Sequence, residues 1–337
     1  MRKNTLKEKL RNRETTITNN LAGFCPENPI VLIDVGASGG IAKRWQAVSK
    51  HLRVIGFEPD QRAFNELQSS GQIKYLNTAL GSNDSMVSFF LTKRQMTSSS
   101  YKPNVTFLRQ FSDYDRFTVT NEIRLRTQRL TSALLCDNDI LDADFIKLDT
   151  QGSELDILRG AKDLLQCNIF GAEVEVEFYP LYQGQPLFTE VDLFMRENGF
   201  MLFDLRRCYW KRDSVVTTSN PRGQLIFADA LYMKTYESFL NALHSREGKV
   251  RREKLFKAIV ISMLYGKDDY GCYLAERACL DGFLSEQEKD ALLHSLTQAH
   301  SVLPRRGRMR ISRWLHALYT KIKAVDYYFM DEEIGNG

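Results

Sequence analysis

The sequence predicts an α/β protein with a doubly wound, mostly parallel sheet of seven strands and an all-helical extension at the C-terminus. Between residues 29 and 237, short apolar runs alternate with helical stretches. That alternation is typical of parallel strands that are covered by helices on both faces. From residue 238 to the end the pattern is helical only. We therefore predict one domain over 29–237 and a helical domain over 238–337.

Seven apolar runs are the candidate strands. Five are separated by helical or turn-rich sequence and lie at Ile30–Val35, Val54–Phe57, Ile73–Leu76, Phe145–Leu148 and Ile169–Phe178. The last two, Phe200–Arg206 and Leu225–Met233, follow one another with only a turn-rich segment between them. Two strands that are joined without a helix predict an antiparallel hairpin, which closes one edge of the sheet.

Helix start and stop signals support the helices between the later strands. Ser153 is placed to cap a helix over Glu154–Leu165, since serine is a preferred N-cap residue. Thr189 is placed to cap a helix over Glu190–Asn198, which Gly199 ends.

Two segments fall outside this rhythm. Residues 1–28 are polar and predict an N-terminal arm or short helix. Residues 86–130 begin with a strand-like run, Val87–Leu91, and continue through a polar, turn-rich stretch. Long loops in compact domains are often lids or binding loops. A solvated surface insertion explains the pattern equally well, and the sequence leaves both interpretations open.

Composition excludes several classes of protein. The formal charge of +4 is too small to argue for a nucleic-acid partner. The six cysteines include no C-x-x-C pair, which favours reduced thiols in a cytoplasmic protein over disulfides or a zinc site. No apolar run approaches the ~20 residues that span a bilayer. We therefore expect a cytoplasmic protein without a signal peptide or a membrane span.

A glycine-rich turn follows the first strand and is the first candidate ligand site. Residues 34–40 are Asp-Val-Gly-Ala-Ser-Gly-Gly, and the helix start beyond them offers unpaired N–H groups. A dinucleotide fingerprint requires G-x-G-x-x-G, but Ser38 occupies the second glycine position. The acidic Asp34 suits a sulfonium ligand with a free amino group, which favours S-adenosyl-L-methionine (SAM). The predicted contacts are Asp34, Gly36, Ala37, Ser38, Gly39 and Gly40.

Two further strand ends are predicted to contact the adenosine part of the ligand. Glu58, which precedes Pro59 at the end of the second strand, can accept both ribose hydroxyls. NAD and SAM proteins both use this device, so Glu58 does not distinguish them. After the third strand, Asn77 is placed to hydrogen-bond an adenine, with Ala79 beside it.

The segment from Asp144 to Ala161 resembles the signature I-K-(I/L)-D-x-(E/Q)-G-x-E-x-x-x-L-x-G-A of the FkbM-type methyltransferases. With the motifs at 34–40, 58–59 and 77–81, four motifs occur in the family's order over roughly residues 30–235. Gln151 stands where many members have Glu, and Ser38 where many have Asn. The resemblance implies a class I, Rossmann-like, SAM-dependent O-methyltransferase. Its acceptor would be a hydroxyl of a sugar, polysaccharide or glycosylated natural product.

Carboxylates at the ends of the fourth and fifth strands are the candidate catalytic groups. Asp149 ends the fourth strand, where ligands of open α/β sheets bind, and it faces either the SAM amino group or the acceptor. Glu173, Glu175 and Glu177 alternate along the fifth strand and so share one face. Because three buried carboxylates are costly, we expect Glu177 to reach the cleft and rank it above Glu175 as the base. Glu154, at a helix start, is explained equally well by the helix dipole.

Histidine is absent from the ends of the later strands, since the five histidines lie at 51, 244, 294, 300 and 316. A carboxylate, or a divalent cation held by carboxylates, is therefore the predicted base. Asp149 with Glu175 or Glu177 has the oxygen ligands for such a cation, but spacing does not decide whether a metal binds.

Aromatic and amide side chains suit a carbohydrate acceptor. Tyr182 and Gln183 follow the fifth strand and Tyr101 lies in the insertion, and these three are the predicted substrate contacts. Packing of the rings on the sheet is the alternative. A basic, aromatic cluster at 206–212 is a candidate receptor for an anionic sugar or phosphate, with a solvated loop as its alternative.

The C-terminal segment 304–323 contains seven basic residues and no acidic one. With apolar residues at helical spacing, residues 305–323 would suit the anionic inner face of the membrane. Docking on the protein's own domain or on a second copy is the favoured alternative. Two other functions also stay open: a NAD-dependent oxidoreductase on a Rossmann fold, and a non-catalytic SAM-fold scaffold that acts through its C-terminal helices.

Overall fold

A computed structural model of the chain describes residues 28–136, 142–212, 223–298 and 328–330. The strands in chain order are β1 (Ile30–Val35), β2 (Leu52–Phe57), β3 (Ile73–Leu76), β4 (Ala79–Leu80), β5 (Ser85–Thr92), β6 (Val119–Gln128), β7 (Phe145–Leu148), β8 (Gly171–Glu177), β9 (Phe200–Trp210), β10 (Gln224–Lys234) and β11 (Tyr328–Met330). The helices are α1 (Lys43–Gln46), α2 (Gln61–Phe64), α3 (Val105–Leu108), α4 (Leu130–Cys136), α5 (Glu154–Gly160), α6 (Lys162–Cys167), α7 (Phe188–Glu197), α8 (Tyr236–Ala242), α9 (Gly248–Leu264), α10 (Asp268–Leu280) and α11 (Glu286–Gln298).

The main sheet confirms the predicted fold class. Its strand order is β11-β9-β10-β8-β7-β1-β2-β3. Five neighbouring strands of this sheet are parallel, namely β3, β2, β1, β7 and β8. Strand β10 runs antiparallel to both β8 and β9. The seven predicted strands and the antiparallel hairpin are therefore present. The short β11 pairs with the outer edge of β9, so the expectation of helix alone after residue 238 is wrong for these three residues.

The sheet is buried on both faces, and β1 shows this clearly. Ile30 and Leu32 pack in a core that includes residues of α8, α9 and α10. Val31, Ile33 and Val35 point the other way, into a core with residues of α4 to α7. The C-terminal helices therefore share a hydrophobic core with the sheet. The domain division at 237/238 stays a prediction.

Two of the predicted caps are wrong. Ser153 lies at the start of α5, but its hydroxyl donates to Thr150 Oγ1 (2.9 Å) and does not accept from the helix. Thr189 lies inside α7, whose first residue is Phe188. Side-chain signals place a helix start only within one or two residues, which is the reason for the error at Thr189. Ser153 has the predicted N-cap position and lacks only the capping hydrogen bond. Gly199 follows α7 with the predicted positive φ of 82°.

The predicted helix over 154–165 is two helices, which meet at Ala161. The last residue of α5, Gly160, lies directly against the backbone of Gly81, which follows β4. A Cβ on Gly160 would lie only 2.1 Å from the carbonyl oxygen of Gly81. Only glycine permits this approach, so α5 ends against the strand-like segment that it packs on.

The insertion after β3 is an ordered structure instead of a solvated loop. β4, β5 and β6 form a second sheet of three strands. The segment between β5 and β6, residues 93–118, packs its Phe107, Phe111 and Phe117 against Leu181 and Trp210. This segment therefore covers the end of the main sheet where β7 and β8 finish.

The predicted N-terminal arm lies outside the described residues except for its last residue, and the basic segment 305–323 lies outside them entirely. In the part of the chain that the structure describes, no helix combines the length and apolar character that crossing a bilayer requires.

Candidate active site

A cavity of about 400 Å³ opens between the carboxyl ends of β1, β2, β7 and β8 and the insertion. In doubly wound sheets this edge is where ligands bind. Six of the predicted cofactor contacts line the cavity, namely Gly36, Ser38, Glu58, Pro59, Ala79 and Asp149.

The glycine-rich turn brings the backbone of β1 against the end of β7. Gly36 has φ +76°, and its N–H donates to Phe57 O at 2.9 Å. A Cβ on Gly36 would lie 1.9 Å from Asp149 O. Ala37 is buried, and neither Ala37, Gly39 nor Gly40 is among the residues that line the cavity. The turn thus leaves backbone of Gly36 and Ser38 at the cavity wall.

Glu58 lines the cavity directly after β2. Its Oε1 accepts from the N–H of Asp60 at 2.9 Å, and burial raises the pKa of Glu58 to about 7. Asn77 does not line the cavity; its amide donates to Glu58 O at 2.8 Å and so holds the end of β2. The residues after it, Thr78, Ala79 and Leu80, form the adjoining wall.

Asp34 is buried below the cavity and does not line it. Burial raises the pKa of Asp34 to about 6, with the charges of Asp149 and Glu173 adding and that of Lys147 opposing. Lys147 Nζ lies 3.7 Å from Asp34 Oδ1 and 3.7 Å from Asp149 Oδ2. Although burial lowers the pKa of Lys147, the surrounding carboxylates raise it above its ordinary value. Lys147 therefore links the two carboxylates, a role that the sequence analysis missed although the residue lies within the fourth motif.

Asp149 and Glu175 are the two predicted catalytic carboxylates that face the cavity. The side chain of Asp149 is 42% exposed. Glu175 is 7% exposed, and burial, reinforced by the charges of Asp149 and Glu177, raises its pKa well above the usual range. Gln151 Nε2 joins them, at 3.1 Å from Asp149 Oδ1 and 2.6 Å from Glu175 Oε2.

Glu177 and Glu173 do not line the cavity, so the expectation that Glu177 reaches it is not met. Glu177 is 2% exposed. Burial, with the charge of Glu154 adding to it, raises the pKa of Glu177 well above its usual range. Glu173 accepts from the hydroxyl of Tyr265 at 2.7 Å. Glu173 is thus bound by a residue of the C-terminal helical region, distant from it in sequence.

Glu154 holds the loop after β7. Its carboxylate accepts from Thr150 N at 2.6 Å and from Gly152 N at 2.9 Å. Burial raises the pKa of Glu154 to about 7. Its place among these backbone donors supports a role in shaping the loop that carries Gln151.

The three predicted substrate residues do not line the cavity. Tyr101 donates to Asp156 Oδ2 at 2.7 Å. Tyr182 has no exposed surface, and its hydroxyl lies 3.0 Å from both Thr97 O and Gln151 Oε1. Gln183 is exposed, and its backbone N–H donates to Lys102 O at 2.8 Å. These residues bind the insertion to the main domain.

The far wall of the cavity is aromatic and basic. Two residues of the cluster at 206–212 line it, Arg206 and Trp210. The guanidinium of Arg206 pairs with Asp229. Arg116 of the insertion places its guanidinium 4.7 Å from the Trp210 ring centroid. Sequence reasoning missed Arg116, because its position opposite Trp210 depends on how the insertion folds over the sheet.

Residues 34–202 match the family model described as "Methyltransferase FkbM domain". A comparison with curated proteins gave no match. Solved structures with similarity include methyltransferase FkbM from Methylobacillus flagellatus KT, at 15% identity and a TM-score of 0.35, covering 61% of this chain and 43% of that chain. The present chain thus spans less than half of that relative's length.

Two other solved methyltransferases are similar over most of their own length. Magnesium protoporphyrin IX methyltransferase from Synechocystis PCC 6803, solved with bound SAM, has 10% identity and a TM-score of 0.31, covering 70% of this chain and 86% of that one. Precorrin-6y C5,15-methyltransferase from Geobacter metallireducens GS-15 has 11% identity and a TM-score of 0.32, covering 65% and 87%.

Proposed function

The chain belongs to the FkbM family of SAM-dependent methyltransferases, and we propose that it methylates a hydroxyl of a sugar, a polysaccharide or a glycosylated natural product. One observation carries the proposal. A single cavity extends from the glycine-rich turn and Glu58, past Asp149, to an aromatic and basic wall. Family membership removes the dinucleotide oxidoreductase and the non-catalytic scaffold as alternatives.

The donor half of the cavity fits SAM in shape and charge. The backbone of Gly36 and Ser38 allows close approach of a ligand at the turn after β1, which suits the amino-acid end of SAM. Glu58 is placed to accept from the ribose hydroxyls. Thr78, Ala79 and Leu80 offer a largely apolar wall for the adenine. Bound there, SAM supplies an electrophilic methyl group.

Asp149 is the group best placed to take the proton of the acceptor hydroxyl. It is the more exposed of the two carboxylates at the cavity, and Lys147 lies 3.7 Å from it. As the new oxygen–carbon bond forms and the carbon–sulfur bond breaks, the hydroxyl proton passes to Asp149 and S-adenosylhomocysteine leaves. Such a displacement requires the oxygen to be held in line with the methyl group.

The acceptor half has the side chains that sugar rings use. Trp210, Phe117 and Phe227 line it, and aromatic faces stack on the apolar faces of pyranose rings. Arg206 and Arg116 add N–H donors in the same wall. This combination favours a glycan hydroxyl over a fully apolar acceptor.

The proposal is tested by supplying methyl-labelled SAM with a panel of aryl hexosides, uronides and bacterial polysaccharides, followed by mass spectrometry of the products. We expect an O-methyl sugar that forms with the wild type and not with Asp149→Asn. Calorimetric titration should detect binding of S-adenosylhomocysteine and none of NAD. Methyl transfer to a nitrogen or carbon atom would overturn the proposed acceptor class. The same holds if glycans of the panel bind to the enzyme and none of them is methylated.

A further inference from the structure

The side-chain amide of Gln151 occupies the space between the two carboxylates that face the cavity. It donates one hydrogen bond to Asp149 (3.1 Å) and one to Glu175 (2.6 Å). A side-chain amide has two N–H donors, so both are used here. A divalent cation shared by these carboxylates would bind the same oxygen lone pairs from the same side.

Contacts outside the carboxylate pair also hold Gln151. The Tyr182 hydroxyl lies 3.0 Å from Gln151 Oε1, and the Nε2 group lies against the carboxylates, whose oxygens accept its hydrogen bonds. Ser99 Oγ donates to the backbone oxygen of Gln151 at 2.7 Å. In the described part of the chain, Gln151 is the one non-glycine residue with positive φ, at 60°. Strained backbone of this kind persists where the surroundings over-determine it, often at functional sites.

The amide of Gln151 is an uncharged bridge between Asp149 and Glu175, and the charges around it fit that role. A positive charge already lies beside the pair, because Lys147 Nζ is 3.7 Å from Asp149 Oδ2. A Glu at position 151 would place a carboxylate where this chain has two N–H donors.

We propose that the Gln151 amide takes the place of a divalent cation between Asp149 and Glu175, and that this enzyme transfers methyl groups without a metal ion. Gln151 is a positioning residue, which holds Asp149 toward the acceptor. The inference rests on the proposed function in taking Asp149 as the base. Its test needs no acceptor, so the two can fail separately.

The test is a Mn²⁺ titration of the full chain, stripped of metal and loaded with S-adenosylhomocysteine, followed by electron paramagnetic resonance. For the wild type we expect no stoichiometric Mn²⁺ site. For Gln151→Glu we expect one Mn²⁺ per chain, bound at least tenfold more tightly than by the wild type, and lost in Gln151→Glu/Glu175→Gln. Gln95→Glu is the matched control, because Gln95 also lines the cavity and receives the same change of charge away from the pair.

Three results would overturn the proposal. The first is a stoichiometric Mn²⁺ site in the wild type that Glu175→Gln removes. The second is a Gln151→Glu protein that binds S-adenosylhomocysteine as the wild type does and gains no Mn²⁺ site. The third is equal gain in Gln95→Glu, since the added charge alone would then explain binding. If Gln151→Glu does not fold, the wild type and Glu175→Gln alone still decide the first result. Absence of an O-methyl sugar would contradict the proposed function and leave the Mn²⁺ result standing.

Discussion

The backbone of Gly36 lies directly against the backbone carbonyl of Asp149: a Cβ on Gly36 would be 1.9 Å from that oxygen. Gly36 belongs to the turn after β1, which is the proposed donor site, and Asp149 follows β7 and is the proposed base. One backbone contact therefore sets the distance between donor and base.

Gly36→Ala should disrupt this contact. We expect loss of S-adenosylhomocysteine binding by calorimetry and a lower free energy of unfolding in urea, because rigid backbone must move to admit the methyl group. Gly39→Ala is the matched control. Gly39 has φ +82° but no atom within 4 Å of a built Cβ, so only conformational strain of about 1–2 kcal/mol is expected. Equal effects of the two substitutions on binding would contradict the role of the contact.

Asp149→Asn should reduce methyl transfer by about 10²–10⁴-fold, the usual contribution of a general base. The amide is nearly the same size as the carboxylate, so we expect the melting temperature and S-adenosylhomocysteine binding to stay close to wild type. Asp163→Asn, which changes a carboxylate with 69% side-chain exposure, controls for the loss of one charge. Turnover at the wild-type rate in Asp149→Asn would exclude Asp149 as the base.

Donor binding should depend on pH through Glu58, whose pKa burial raises to about 7. The ionised carboxylate accepts from both ribose hydroxyls, whereas the protonated form has lost part of that capacity. Affinity for S-adenosylhomocysteine should therefore be highest above pH 7 and fall as the pH decreases through 7, by up to about tenfold per unit. The measurement is calorimetry at pH 6, 7 and 8. Glu58→Gln should bind more weakly with a flatter profile, and an unchanged slope in that variant would assign the titration to another group.

Asp144 joins the C-terminal helix α9 to the sheet. It accepts from Lys254 Nζ at 2.7 Å, from Lys257 Nζ at 3.1 Å and from Val31 N at 2.8 Å. All three charged side chains are buried. Asp144→Asn would remove the buried carboxylate that both ammonium groups contact. Lys254 would keep Asp142 Oδ1 at 3.0 Å, so we expect a loss near the lower end of about 3–5 kcal/mol.

Urea unfolding of Asp144→Asn beside Asp163→Asn measures that loss. Burial by itself raises the pKa of Asp144, but the two lysines outweigh burial and hold that pKa below its usual value. The stability that Asp144 contributes is therefore present above its unfolded pKa and lost as the pH falls through the lower folded value. A difference between the two variants of less than about 1 kcal/mol at pH 7 would contradict the role of this cluster.

Local sequence predicted the strands well because each is bounded by its own turn signals. Three of them, β1, β3 and β7, have the predicted limits of Ile30–Val35, Ile73–Leu76 and Phe145–Leu148. The cap residues were less well predicted, since Ser153 and Thr189 are both near helix starts without making the expected bonds. Which of two nearby polar side chains caps a helix depends on the exact path of the chain, which periodicity does not specify.

The sequence by itself determined the doubly wound sheet, its antiparallel hairpin and the family, because strand periodicity and a glycine-rich turn are local properties of the chain. Only the tertiary structure decided that Glu175 faces the cavity and Glu177 does not, and that Tyr182 supports the insertion. Those outcomes depend on what covers each strand end, here Gln185 and the segment 93–118. Exposure of a side chain is set by neighbours outside its own strand, so the periodicity of the strand does not contain it.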